Sequence, residues 1–76
     1  MKELVEVLAR ALVDNPEQVE VYEIEGEKSS ILELRVAEED MGKVIGKQGR
    51  IAKAIRTVVK AAASRKNKKA VVEIIQ

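Results

Sequence analysis

The 76-residue sequence has no Cys, no His, no Trp and no Phe, and it contains one Tyr and one Pro. Each absence removes a class of chemistry. Without Cys no disulfide can hold a small core together, and without Cys and His the usual ligands of zinc and redox centres are missing. Acid–base and nucleophilic catalysis lose their commonest groups as well, because Ser29, Ser30, Thr57 and Ser64 have no candidate base nearby in sequence. The chain therefore reads as a non-enzyme, with no catalytic residues, no metal and no cofactor. Long apolar runs are also lacking. Residues 1–13 are broken by Lys2, Glu3, Glu6 and Arg10, so they form neither the apolar stretch of a signal peptide nor a membrane span, which needs about 20 apolar residues. The expectation is one domain, residues 1–76, in the reducing cytoplasm with no membrane partner. A chain this short buries only about 60% of its unfolded surface. Its core should supply about 3–5 kcal/mol, which idealised helix packing or self-association would supplement.

Net charge is +1, but its distribution is uneven. Residues 1–40 carry four basic and twelve acidic side chains, a net of −8, whereas residues 41–76 carry ten basic side chains and Glu73 alone, a net of +9. A basic half of this kind points to a polyanion-binding face, and the acidic half keeps the total near zero and limits indiscriminate sticking.

Hydrophobic periodicity divides the chain into six elements. Leu4, Val5, Leu8, Ala11 and Leu12 recur at helical spacing opposite Glu3, Glu6 and Arg10, which predicts an amphipathic helix over 2–13, ended by Asp14-Asn15-Pro16. Residues 19–25 and 30–37 are β-rich and separated by Gly26-Glu27-Lys28-Ser29, a hairpin signal. In the second run Leu32, Leu34 and Val36 alternate with Glu33 and Arg35, as expected of a strand burying one face; the first run mixes its faces and suits a sheet edge. Glu38-Glu39-Asp40 supplies the acidic first turn of a short helix reaching about Val44 or Ile45. A longer helix is expected over 50–65, then a basic loop over 65–69 and a β-branched strand over 70–75. The order is α-β-β-α-α-β. On the 50–65 helix the apolar residues span an arc of roughly 200°, about twice what packing on a sheet requires. The surplus falls on the margin of Ala52, Val59 and Ala63 or on that of Ala54 and Ala61, and it suggests a partner subunit.

Between the two predicted helices lies Gly42-Lys43-Val44-Ile45-Gly46-Lys47-Gln48-Gly49-Arg50-Ile51. It is not a P-loop, since the Gly-Lys spacing is one residue short and Gln48 stands where a magnesium-binding Ser or Thr belongs. It is not a dinucleotide fingerprint, since GxGxxG is absent, and the GxxxG of Gly42 and Gly46 lacks an apolar membrane segment. What remains is Gly-x-x-Gly between helices. Such a break lets another backbone approach without Cβ atoms in the way, beside the positive end of the second helix. Lys47 and Arg50 at the break, with Lys43 and Lys53 a turn away on either side, add charge suited to a phosphate backbone.

The run Val44-Ile45-Gly46-Lys47-Gln48-Gly49-Arg50-Ile51, with Ile55 four residues on, resembles the VIGxxGxxI signature of KH domains. Two strands before the motif and one after it resemble the type II KH fold, an α+β domain in which a three-stranded mixed sheet is covered by three helices. The resemblance extends over essentially the whole chain to the bacterial single-KH-domain proteins of the KhpA (YlqC) family. It implies that Gly46, Lys47, Gln48 and Gly49 grip about four nucleotides of single-stranded RNA, with single-stranded DNA as the competing ligand. It implies that Val44, Ile45 and Ile51, together with the strand from Leu32 to Val36, line an apolar groove for the bases. With Tyr22 the only aromatic residue, stacking is not the main source of affinity.

A four-nucleotide site binds weakly, and pairing two sites raises avidity by about 10² to 10⁴. The resemblance implies a homodimer, a KhpB/Jag-type KH partner, an RNA-chaperone role and a link to cell length and cell envelope regulation. The competing expectation is a protein-interaction module in which the KH fold serves dimerisation alone.

Overall fold

The computed structural model describes residues 1–75, with the side chain of Lys47 set aside. Helix α1 spans Lys2–Leu12, and its buried Val5 and Ala9 recur four residues apart, one turn of helix. Pro16–Gln18 forms a short 3-10 turn that the sequence reading did not anticipate. Strand β1 spans Glu20–Glu25 and β2 spans Ser29–Arg35, antiparallel to each other, with Tyr22 opposite Glu33 and Ile24 opposite Ile31. Helical hydrogen bonding then runs from Glu38 to Arg65 as α2, and β3, Lys69–Ile75, returns parallel to β2, with Leu32 beside Val72. The strand order is β1-β2-β3, so β2 is central and both other strands are edges.

The sheet is mixed, as expected, and the helices cover one face of it. Val21, Leu32, Leu34 and Val72 point to that face and join Val5, Ala9, Val44, Ile55 and Val59 in one core. Tyr22, Ile24, Ile31 and Val71 occupy the opposite, exposed face, as a period of two requires. Glu23 lies on the inward side of β1 at its rim, where the Met1 ammonium sits 3.9 Å from its carboxylate.

The expected order of three helices and three strands is present, with the second and third helices as two arms of α2. Gln48 and Gly49 have φ of +65° and +66°, values a right-handed helix does not contain. A straight helix of 28 residues would be about 42 Å long, longer than the molecule's greatest extent of 35 Å. The run is therefore broken at this left-handed pair. The first arm extends past the expected end at Val44 or Ile45, because Gly46 and Lys47 continue its helical backbone.

Both ends of α2 are anchored by contacts the sequence did not reveal. Asp40, buried in the first turn, accepts hydrogen bonds from the Asp14 and Asn15 backbone N–H groups at 3.1 and 3.0 Å and from Asn15 Nδ2 at 3.2 Å. It thus ties the end of α1 to the start of α2. Burial by itself would raise the pKa of Asp40; the three donors and nearby Lys43 outweigh it and hold the carboxyl below its ordinary value. At the other end Asn67 takes φ +55°, and the Lys68 and Asn67 N–H groups donate to the Ala63 and Ser64 carbonyls. This is a Schellman closure with Asn in the left-handed position.

Candidate nucleic-acid interface

The site is built around the break in α2. Gly49 needs its left-handed φ, and a Cβ built on Gly46 or Gly49 would meet no atom within 4 Å. Open space thus lies against the backbone at both glycines, as close approach by another chain requires. Because the left-handed pair interrupts the helix, the second arm starts afresh at Arg50 with the positive end of its dipole at the break. Gln48 is exposed there, and Arg50 and Lys53 are exposed in the first turn of the second arm. The side chain of Lys47 lies outside the described residues.

The remaining residues singled out from sequence divide by accessibility. Ile45 is 52% exposed and Ile51 half-buried, both beside the break. Val44 is fully buried in the core, so it holds the first arm in place and has no surface to offer a ligand. Lys43 is exposed but already engaged, its Nζ lying 3.1 Å from Asp14 Oδ1.

The expected wall from Leu32 to Val36 is corrected by the sheet order. Leu32, Leu34 and Val36 are buried beneath the helices, because the crossover through α2 places β3, not β2, at the open edge. A groove runs between the second arm of α2 and β3. It has a volume of about 890 Å³ and is lined by Arg56, Lys60 and Ser64 from the helix, Asn67 and Lys68 from the turn and Lys69 to Val72 from the strand. Lys53, Arg56, Lys60 and Ser64 follow at intervals of three and four residues, one stripe down the helix. Gly49 lies about 10 Å along the helix axis from Arg56, the first helix residue that lines the groove.

Two of the groove's cations are held by the fold. Arg56 Nε donates to the Val72 carbonyl at 3.3 Å. Lys68 Nζ donates to Glu25 Oε2 at 2.7 Å, and that contact holds the Glu25 carboxyl below its ordinary pKa. The sequence placed Arg56, Lys60, Lys68 and Lys69 in the basic half; what it did not reveal was that β3 runs beside Arg56 and Lys60. The helix surplus also resolves. Ala52, Ile55, Val59 and Ala63 face the core, whereas Ala54, Ala61 and Val58, the last 40% exposed, face outward.

Among the described residues no helix is long and apolar enough to cross a membrane, and no group of three or more acidic residues is placed to hold a metal ion. The arrangement offers donors and positive charge along one open groove.

Comparison with known proteins bears on this geometry. A family model described as KhpA/KhpB, KH domain, matches residues 2–74. The chain is 75% identical over 75 residues to the RNA-binding protein KhpA of Clostridium perfringens, covering 99% of this chain and 100% of that protein. It is 68% identical over 75 residues to the KhpA of Caldanaerobacter subterraneus, covering 99% of this chain and 100% of the relative. To the KhpA of Aquifex aeolicus it is 51% identical over 76 residues, covering 100% and 96%. No solved structure gives a significant match.

Proposed function

The chain belongs to the KhpA/KhpB family of KH domains, and on that premise we propose that it binds single-stranded RNA through the break in α2. Gly46 to Gly49 grips the sugar–phosphate backbone, Gln48 and Arg50 sit at the grip, and Lys53 carries the strand into the groove between α2 and β3. Ile45 and Ile51 supply apolar contact at its entrance. The observation that carries this reading is the left-handed pair at Gln48 and Gly49, which leaves the backbone open beside a helix start. The test is binding of a short single-stranded RNA as salt is raised. With three or four phosphates contacted by Lys and Arg, log Kd should change with log salt with a slope of about 2 to 3. A slope near zero would rule out a phosphate grip. Matched DNA measures what the 2′-hydroxyl contributes.

The same proposal extends to how the protein works. A site for about four nucleotides acts more effectively in pairs, as a homodimer or beside a KhpB/Jag-type KH partner. Such an assembly would hold RNA loosely enough to serve as an RNA chaperone in the cytoplasm, upstream of cell length and envelope control. The outward Ala54, Val58 and Ala61 face supports association. It also favours a second reading, an interaction module with little RNA binding of its own. Sedimentation of the native protein and of Val58→Asp separates the two. Association lost in the variant with RNA affinity of each site retained assigns the face to assembly, and a strict monomer at high concentration removes the interaction-module reading.

A further inference from the structure

We propose that Arg56 gives the groove a preference for bases with two adjacent hydrogen-bond acceptors, guanine and cytosine, over adenine and uracil. The inference rests on the RNA-binding reading and concerns what the groove selects once the backbone is held.

The argument starts from which donors remain free. A guanidinium carries five N–H donors in one plane and no acceptor. The Nε–H of Arg56 is committed to the Val72 carbonyl at 3.3 Å, which fixes the plane against the edge strand and leaves the two Nη groups as the unused end of the fork. The contact also occupies one of the two lone pairs of the Val72 carbonyl. In a regular strand a residue's N–H and C=O point to the same side, so the Val72 N–H also faces the open edge and remains a donor. Lys60 and Lys69, on either side in the same groove, contribute donors only. Around Arg56 donors therefore outnumber acceptors, the Ser64 hydroxyl and the Asn67 amide lying further along the groove toward the turn.

Bases differ in how they meet such a surface. Guanine offers O6 and N7 side by side, and a two-pronged arginine contact with that pair is the commonest specific base contact. Cytosine offers O2 and N3 side by side. Adenine sets its N6 amino donor beside either N7 or N1, and uracil sets N3–H between its two carbonyls, so each of these brings a donor against donors. A mismatch leaves polar groups unpaired where the matched base satisfies them. Val71 and Val72 also border the groove, but Val72 is buried and the Val71 side chain lies on the opposite face of the sheet, so neither adds base discrimination.

The test uses four fluorescently labelled octaribonucleotides, uridine throughout except for a central GG, CC, AA or UU, titrated by anisotropy at one fixed salt concentration. The native protein should bind the GG and CC octamers about tenfold or more tightly than the AA and UU octamers, the range expected for a two-pronged base contact. Arg56→Lys keeps the charge and loses the fork. Its four affinities should converge. A circular dichroism melt shows that the variant is folded. In amide spectra of the native protein the Val72 N–H should shift more with GG or CC than with UU. Equal binding of all four octamers by the native protein, or discrimination preserved in Arg56→Lys, overturns the assignment and leaves the RNA-binding reading standing. Failure of the native protein to bind any octamer overturns both.

Discussion

The two motif glycines should respond in opposite directions to the same substitution. Gly46 sits in helical backbone without positive φ, and a Cβ there meets no atom within 4 Å. Gly46→Ala replaces a helix glycine in open space, so it should stabilise the fold by about 0.5–1 kcal/mol. For a domain of this size that is a rise in Tm of about 2–8 °C. Gly49 has φ +66°, where an L side chain costs about 1–2 kcal/mol. The unfolded chain returns about 0.4–1 kcal/mol of that through its reduced freedom. Gly49→Ala should therefore destabilise by about 1 kcal/mol and lower Tm by about 4–8 °C. Binding follows different logic, because the space that makes the Gly46 methyl harmless to the fold is the space that the proposed grip on RNA backbone uses. Losing one charge-assisted contact there costs about 1.5–3 kcal/mol, or about 10- to 100-fold in Kd. Gly46→Ala should be the more stable protein and the weaker RNA binder. Thermal melts and anisotropy on the same preparations check both. A Gly46→Ala protein that melts below the native one, or that binds RNA with native affinity, would refute the account of the break.

Three further substitutions probe its surroundings. Asp40 has a depressed pKa in the folded state, so its contribution is complete above the unfolded carboxyl value of about 4 and disappears as pH falls through the lower folded value. Native stability should decline with acid below about pH 4, and Asp40→Asn should melt lower at neutral pH and lose part of that acid dependence; an identical acid profile in the variant would contradict this. Asp14→Asn frees Lys43 from an exposed ion pair of about 0.2–1 kcal/mol. RNA affinity should rise up to about fivefold at low salt and converge with native at high salt, and an unchanged affinity at low salt would show that Lys43 does not meet RNA. Ser30 Oγ is buried without a hydrogen-bond partner among the described residues. Ser30→Ala should leave stability equal or raise it by up to about 1 kcal/mol in urea melts, and a loss would show that the hydroxyl has a partner.

Much of this was legible in the sequence because its signals are local. Alternation in Leu32, Leu34 and Val36 marked β2, and the Gly46 to Gly49 spacing marked the break, since backbone conformation there depends on residues in contact along the chain. What was not legible depends on lateral placement. Periodicity identifies strands but does not say which lies beside which helix; the wall of Leu32 to Val36 that the resemblance implies falls on β2, whereas the parallel return puts β3 beside the groove. Val44 and Ile45 are equally apolar neighbours, and only the position of the first arm decides that Val44 is buried and Ile45 half exposed. Asp40 looked like one of three acids serving the helix dipole; its role as acceptor for the turn at Asp14 and Asn15 required two distant segments to meet. Asn67 was hidden in a basic loop because Gly, not Asn, is the usual sign of a Schellman closure.

The most direct test of the central claim is anisotropy titration of a short single-stranded RNA with the native protein and with a Lys47→Asp, Gln48→Asp double variant, both shown folded by circular dichroism. Two carboxylates at the break repel phosphate and leave Gly46 and Gly49 in place. The account predicts that the native protein binds with marked salt dependence and that the folded variant loses at least about tenfold in affinity, or ~1.4 kcal/mol. Equal binding by the two proteins would contradict it and move the site away from the break in α2.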